Sequence, residues 1–197
     1  ELVDHLLAGA QGWVLHMIAR HGRGHGFTLI ELLIAVALAL ALLLMALPTF
    51  ATWIADQQIR AATESIATGL RLAHSEAIRR NWQVEFVIDP TPASGGWTIT
   101  PVGESVPFRA AHFAEGSDNA TFTRTPGTAT TVTFDGLGRV VTPNADASPI
   151  LTAIRIEHPV GDARTLMVLV GGGRSGIKIC DPAVTDTDSP RYCTAAI

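Results

Sequence analysis

Positive charge is scarce in this chain. Lysines are few and the formal net charge is −4 over 197 residues, so the chain as a whole is no electrostatic magnet for nucleic acid. Catalytic signatures are also missing. No Gly-x-Ser-x-Gly elbow occurs, and Gly171-Gly172-Gly173 is not followed by the Lys-Ser/Thr pair of a phosphate loop. Asp181, Asp186 and Asp188 crowd together, but the glycine and closing glutamate of an EF-hand loop are lacking, so calcium is a weak match. His74, His112 and His158 stand apart, without metal-ligand spacing, and read as surface or internally satisfied histidines. No internal repeat and no low-complexity tail is found. These absences leave no enzyme, cofactor or metal site to argue for. Cysteine is limited to Cys180 and Cys193. If their domain lies outside the cytoplasm they can pair across a short loop, a bond worth about 3 kcal/mol in the chain-entropy model; two free thiols are the other reading.

What the chain does have is one long apolar run. Phe27 to Phe50 reaches the length a bilayer core needs, about 20 residues at about 1.5 Å each, and Leu32 to Leu47 carries no charge. Arg20 and Arg23 precede it, which places the leader in the cytoplasm and the C-terminal domain across the membrane. Pro48 is expected to kink the helix near its far end. Position 1 is not Met and the first Met is Met17, so residues 1–16 are expected to be an overlong gene start. One carboxylate, Glu31, sits inside the run. A charge in hydrocarbon is costly, so Glu31 needs a partner or a purpose.

Beyond the run the helical pattern continues to Arg80. Ile54, Ile59, Ala62, Ile66, Leu70, Ala73 and Ala77 recur at three- and four-residue steps, with Arg60, Glu64, Arg71, Glu76 and Arg79 on the other face. Glu76 and Arg80 are spaced to pair. After Asn81 the pattern turns to strands: Val84–Ile88, Trp97–Thr100, Ala120–Arg124, Thr130–Phe134, Gly138–Val141, Ile154–Glu157, Thr165–Val170 and Gly176–Cys180. Residues 101–119 read as a loop or short edge segments. The expected organisation is a leader (1–26), a membrane helix (27–50), its amphipathic continuation (51–80) and a β-rich domain (81–197). The fold class is α+β, a long helix packed on antiparallel sheet.

Gly26-Phe27-Thr28-Leu29-Ile30-Glu31, behind a basic leader and ahead of an apolar helix, resembles the processing signal of type IV pilins and type II secretion pseudopilins. The resemblance implies that a prepilin peptidase cuts between Gly26 and Phe27 and methylates the new amine of Phe27. It further implies that Glu31 meets the Phe27 amine of a neighbouring subunit as a filament grows. Ile66 to Asn81, with its Ser75-Glu76-Ala77-Ile78-Arg79-Arg80 stretch, is similar to the second helical half of the GspH/FimT family of minor pseudopilins, although His74 stands where arginine is common. Phe134-Asp135-Gly136-Leu137-Gly138-Arg139 resembles a strand-turn of that family. Gly173-Arg174 before Cys180, with Cys193 near the end, fits its C-terminal pattern. The resemblance implies a single-pass protein of the bacterial inner membrane with its domain in the periplasm. Its partners would be the peptidase and other pilins or pseudopilins.

DNA-binding members of that family carry Gly-Arg-x-Arg, and this chain has Gly173-Arg174-Ser175-Gly176 instead. Lys178 and Arg191 can partly substitute for the missing arginine, but Asp181, Asp186 and Asp188 oppose them. A secretion pseudopilin is therefore expected ahead of a type IV minor pilin used in pilus assembly or DNA uptake.

Overall fold

The computed structural model describes residues 26–92, 94–159, 163–172 and 176–193. One helix, α1, runs from Leu29 to Arg80. Eight strands follow: β1 (Val84–Asp89), β2 (Gly96–Pro101), β3 (Arg109–His112), β4 (Thr121–Thr125), β5 (Thr131–Phe134), β6 (Ala153–Glu157), β7 (Leu166–Gly172) and β8 (Gly176–Cys180). The chain divides into two units, one ending at Ala46 and one beginning at Leu47.

In the first unit, the described part of α1 is apolar and every side chain on it is exposed. By length and composition the helix can cross a membrane. Its start is capped. Thr28 accepts a hydrogen bond from the Glu31 N–H on its hydroxyl (3.3 Å), and its carbonyl accepts from Leu32 N–H (3.1 Å). Thr28-Leu29-Ile30-Glu31 is the sequence of a capping box, in which the first residue caps the helix and the fourth lies at its positive end.

In the second unit, α1 buries a single face. Ile59, Ala62, Ile66, Ala67, Leu70, Ala73 and Ala77 enter one core with the inner sides of two antiparallel sheets. The first sheet has the order β3-β2-β1-β5 and contributes Val84, Phe86, Ile88, Trp97, Ile99, Val132 and Phe134. The second has the order β4-β6-β7-β8 and contributes Ile154, Ile156, Val168 and Val170. Alanine along the buried face lets α1 lie close to the sheets. At Gly69 there is no room for a side chain, since a Cβ there would come within 2.8 Å of the Phe86 ring and 2.9 Å of the Trp97 ring. Those two rings stack at 5.8 Å, and the Trp97 indole N–H donates to Ser65 Oγ at 2.9 Å. Full burial of such side chains contributes about 1.5–3 kcal/mol each. The helix stops at Asn81, whose positive φ (49°) reverses the chain so that Trp82 N–H reaches back to the Ala77 carbonyl.

Two local expectations need adjusting. The strand expected over Gly138–Val141 is reduced to one bridge, Phe134 with Val140. Beyond Val141 the free edge of β5 is taken over by a side chain, Asn144. Its Oδ1 accepts from Thr133 N–H, and its Nδ2 donates to the Thr131 carbonyl. A strand is also present within 101–119, the edge strand β3.

Candidate assembly site

Gly26, Phe27 and Glu31 lie at the start of α1, and all three are exposed. Gly26 and Phe27 precede the Thr28 cap without regular secondary structure, and nothing approaches within 4 Å of the point where a Gly26 side chain would begin. Among the described residues, nothing covers the Gly26 side of the peptide bond between them. Glu31 follows in the first helical turn. It lies four residues from Phe27, about 6 Å along the axis at about 1.5 Å per residue. The leader residues before Gly26, Arg20 and Arg23 among them, lie outside the described residues.

The other candidate region is the C-terminal loop. Cys180 and Cys193 form a disulfide across a sequence separation of 13, with Cα atoms 5.1 Å apart. Cys180 is buried with Ala153 and Leu169, and Met167 and Cys193 pack beside them. The loop thus covers part of the outer side of the second sheet with a small core of its own. A groove of about 560 Å³ remains beneath it, bounded by Thr125, Arg155, Met167, Val184 and Tyr192 among others.

Of the three cations singled out here, Arg174 lies outside the described residues. Lys178 is half-exposed on β8, opposite Leu169, and Arg191 is exposed. Asp181 is buried and accepts from Ala183 N–H, while Asp186 accepts from Asp188 N–H, so both carboxylates are engaged in local turns. Among the described residues no three His, Cys, Asp or Glu side chains are grouped to hold a metal ion.

The three described histidines are spread through the second unit. The His74 ring meets the Phe134 ring edge-on at 5.6 Å, His112 lies on β3, and His158 Nε2 is 2.9 Å from Gln58 Oε1. Thr28 is the residue that reading for charge alone passes over. Its signal was the Thr-x-x-Glu spacing immediately before an apolar run.

The structure also bears out the pairing expected at the end of α1. Glu76 accepts from Arg80 Nε at 3.0 Å and from Arg79 as well. The Arg79 and Arg80 guanidiniums hold the Glu76 carboxyl below its ordinary range.

Two family models match the sequence. The model described as type II transport protein GspH matches residues 62–173, more than half of the chain. The prokaryotic N-terminal methylation motif matches residues 22–47. Two crystal structures of the type IV minor pilin FimU from Pseudomonas aeruginosa (strain PAO1) are similar at 17% identity. One has a TM-score of 0.49 and covers 66% of this chain and 92% of that one. The other has a TM-score of 0.47 and covers 65% and 97%. No functionally curated protein matches the sequence.

Proposed function

This chain belongs to the GspH family of pilin-like structural proteins, and from that membership we propose that it is a minor pseudopilin of the type II secretion system. Prepilin peptidase cuts it between Gly26 and Phe27 and methylates the Phe27 amine. The apolar part of α1 stays in the bacterial inner membrane, with the sheet domain in the periplasm. The processed chain then joins other pseudopilins in a periplasmic fibre. It works as a structural part and performs no reaction of its own. The observation that carries this reading is the coincidence of the methylation motif (22–47) with a Gly26–Phe27 bond that lies just ahead of a capped apolar helix. In the assembled fibre Glu31 pairs with the Phe27 amine of a neighbour, which relieves two charges in a place where each alone is costly.

The alternative is a FimT-like minor pilin acting in pilus assembly or DNA uptake. It would depend on the cations of the C-terminal loop, and the GspH match favours the secretion reading.

Intact mass of the chain purified from a host with the peptidase tests the proposal. The expected N-terminus is a methylated Phe27, and Gly26→Ala should leave the leader attached. A native N-terminus at any other residue would end this reading.

A further inference from the structure

The apolar character of α1 does not stop at Ala46, where the first unit ends. In the second unit Leu47, Phe50, Trp53 and Ile54 follow at three- and four-residue steps, so they share one side of the helix. All four side chains are exposed, Phe50 by 59% and Trp53 by 57%. The Phe50 and Trp53 rings stack at 5.7 Å. The next residue on that side, Gln57, is polar and exposed. The domain takes another face of the helix, where Ala55 and Ile59 are fully buried.

The spacing of charge says what covers this patch. No charged residue occurs in the 24 positions between Glu31 and Asp56. A helix of that length extends about 36 Å at about 1.5 Å per residue, whereas a bilayer's hydrocarbon core is about 30 Å thick. The uncharged stretch therefore outruns the hydrocarbon by about one turn. Counted from Glu31, Phe50 falls at the hydrocarbon boundary, and Trp53 and Ile54 fall in the polar layer just beyond it.

The polar contacts of α1 begin where that layer would end. Asp56 accepts from the Arg164 N–H on Oδ1 (2.8 Å), and the Gln58 side-chain amide donates to Asp118 Oδ1 (3.2 Å). Between the apolar run and these ties, Thr52 turns its hydroxyl back onto the Thr49 carbonyl (2.9 Å), so it leaves no bare donor beside lipid. The three tryptophans of the second unit also differ. The indole N–H of Trp82 donates to the Val102 carbonyl and that of Trp97 to Ser65 Oγ. Among the described residues the Trp53 N–H has no acceptor. An apolar ring with a spare donor suits the bilayer interface, where one end of the side chain is dry and the other wet.

We propose that Phe50, Trp53 and Ile54 form an interfacial anchor for phospholipid. Phe50 lies against the upper acyl chains. The Trp53 indole lies in the glycerol and headgroup layer, with its N–H toward ester or phosphate oxygens. The anchor rests on the reading of α1 as a membrane span, and it carries lipid contact one turn beyond the expected end of that span at Phe50.

The test uses the full chain in vesicles of phosphatidylethanolamine and phosphatidylglycerol. A photoreactive phenylalanine analogue replaces Trp53, Leu38 or Thr68, one at a time; all three native side chains are exposed. Fragmentation of each adduct by mass spectrometry locates the new bond. Position 38 should mark acyl chains, position 53 should mark the glycerol or headgroup part, and position 68 should give no lipid adduct. With acyl chains marked from position 38, the anchor alone is overturned if position 53 marks protein, marks acyl chains only, or marks nothing. It is overturned equally if position 68 marks lipid as strongly as position 53. If position 38 marks no lipid, the span itself fails and the anchor with it. Processing at Phe27 does not enter these outcomes, because the mass of the N-terminus reads it separately.

Discussion

Residues 29–46 and 47–80 belong to one helix, yet the two stretches are stable for different reasons. The first is made almost wholly of Leu, Ala, Val and Ile, carries one charge at Glu31, and has every side chain exposed. The second alternates an alanine-rich buried face with an outward face bearing Arg60, Glu64, Arg71 and Arg79. Hydrogen bonding along the backbone is the same in both, so secondary structure is not what separates them. The separation lies in what solvates the side chains. The second stretch finds its apolar partner within the chain, and the first has none among the described residues. Its helix is a surface prepared for lipid and for the helices of other molecules. The same contrast bears on Glu31, an exposed charge for which no ion pair is seen among the described residues of its unit.

The largest effect that can break this comparison is at Glu31. Two roles compete for it: pairing with a neighbour's Phe27 amine, and completing the capping box begun by Thr28. Glutamine keeps the capping geometry and loses the charge, whereas alanine loses both. If charge pairing dominates, Glu31→Gln and Glu31→Ala should both insert in the membrane and both fail to enter fibres. Breaking a buried pair costs about 3–5 kcal/mol, so incorporation should fall about 100-fold or more. Co-assembly measured by shearing and immunoblotting distinguishes the two roles, because a Gln variant that assembles normally would assign Glu31 to the cap.

An effect of similar size, confined to one unit, sharpens the contrast in stability. Phe86 is fully buried against Trp97, and Phe86→Ala should cost about 3–5 kcal/mol of domain stability. Leu38 is 62% exposed in the first unit, and Leu38→Ala should shift the same unfolding transition by less than about 0.5 kcal/mol. Thermal midpoints of the full chain in detergent measure both. Similar losses from the two substitutions would mean that the halves of α1 do not differ as described.

The same division shows what could be read from the sequence. The membrane run, the amphipathic face and strands such as β1, β2 and β7 are legible because composition and period alone specify them. The edge strand β3 is not, since Arg109-Ala110-Ala111-His112 has neither alternation nor β-branched residues and exists by pairing with β2. The opposite error occurred at Gly138–Val141, where Val140-Val141 suggested a strand. Whether that pair continues as one depends on Asn144 claiming the β5 edge, a tertiary fact. At the candidate site, Gly26, Phe27 and Glu31 were legible as a local motif. The seating of the 135–139 turn on the helix end was not, because Gly136 and Gly138 are far in sequence from Asn81, His74 and Ile78, against which they close.

The smallest effect concerns charge on the outer side of the first sheet. Burial raises the Glu85 pKa above its ordinary value, the Asp146 charge adds to the rise, and a hydrogen bond from Thr133 opposes it. An acid whose folded pKa is raised is less comfortable ionised in the fold than in the unfolded chain. Glu85 therefore destabilises the domain at neutral pH, and the penalty disappears as pH falls through its folded value toward 4.5. Glu76, Asp89 and Asp146 behave oppositely, because hydrogen bonds lower their pKa values. At Asp135, burial raises the pKa, but the bonds from Arg139 and Leu137 outweigh it and leave it lowered. The stability these four contribute is present above their unfolded values and is lost only as pH drops below 4.5 for Glu76 and 3.8 for the aspartates. On acidification from pH 7 the thermal midpoint should thus rise slightly before it falls. Glu85→Gln should stabilise the neutral form by less than about 1 kcal/mol and abolish the rise. A midpoint that declines steadily with acid in the wild type, or a Gln variant less stable at pH 7, would show that Glu85 is well solvated and that the sheet's outer side is not where this domain carries strain.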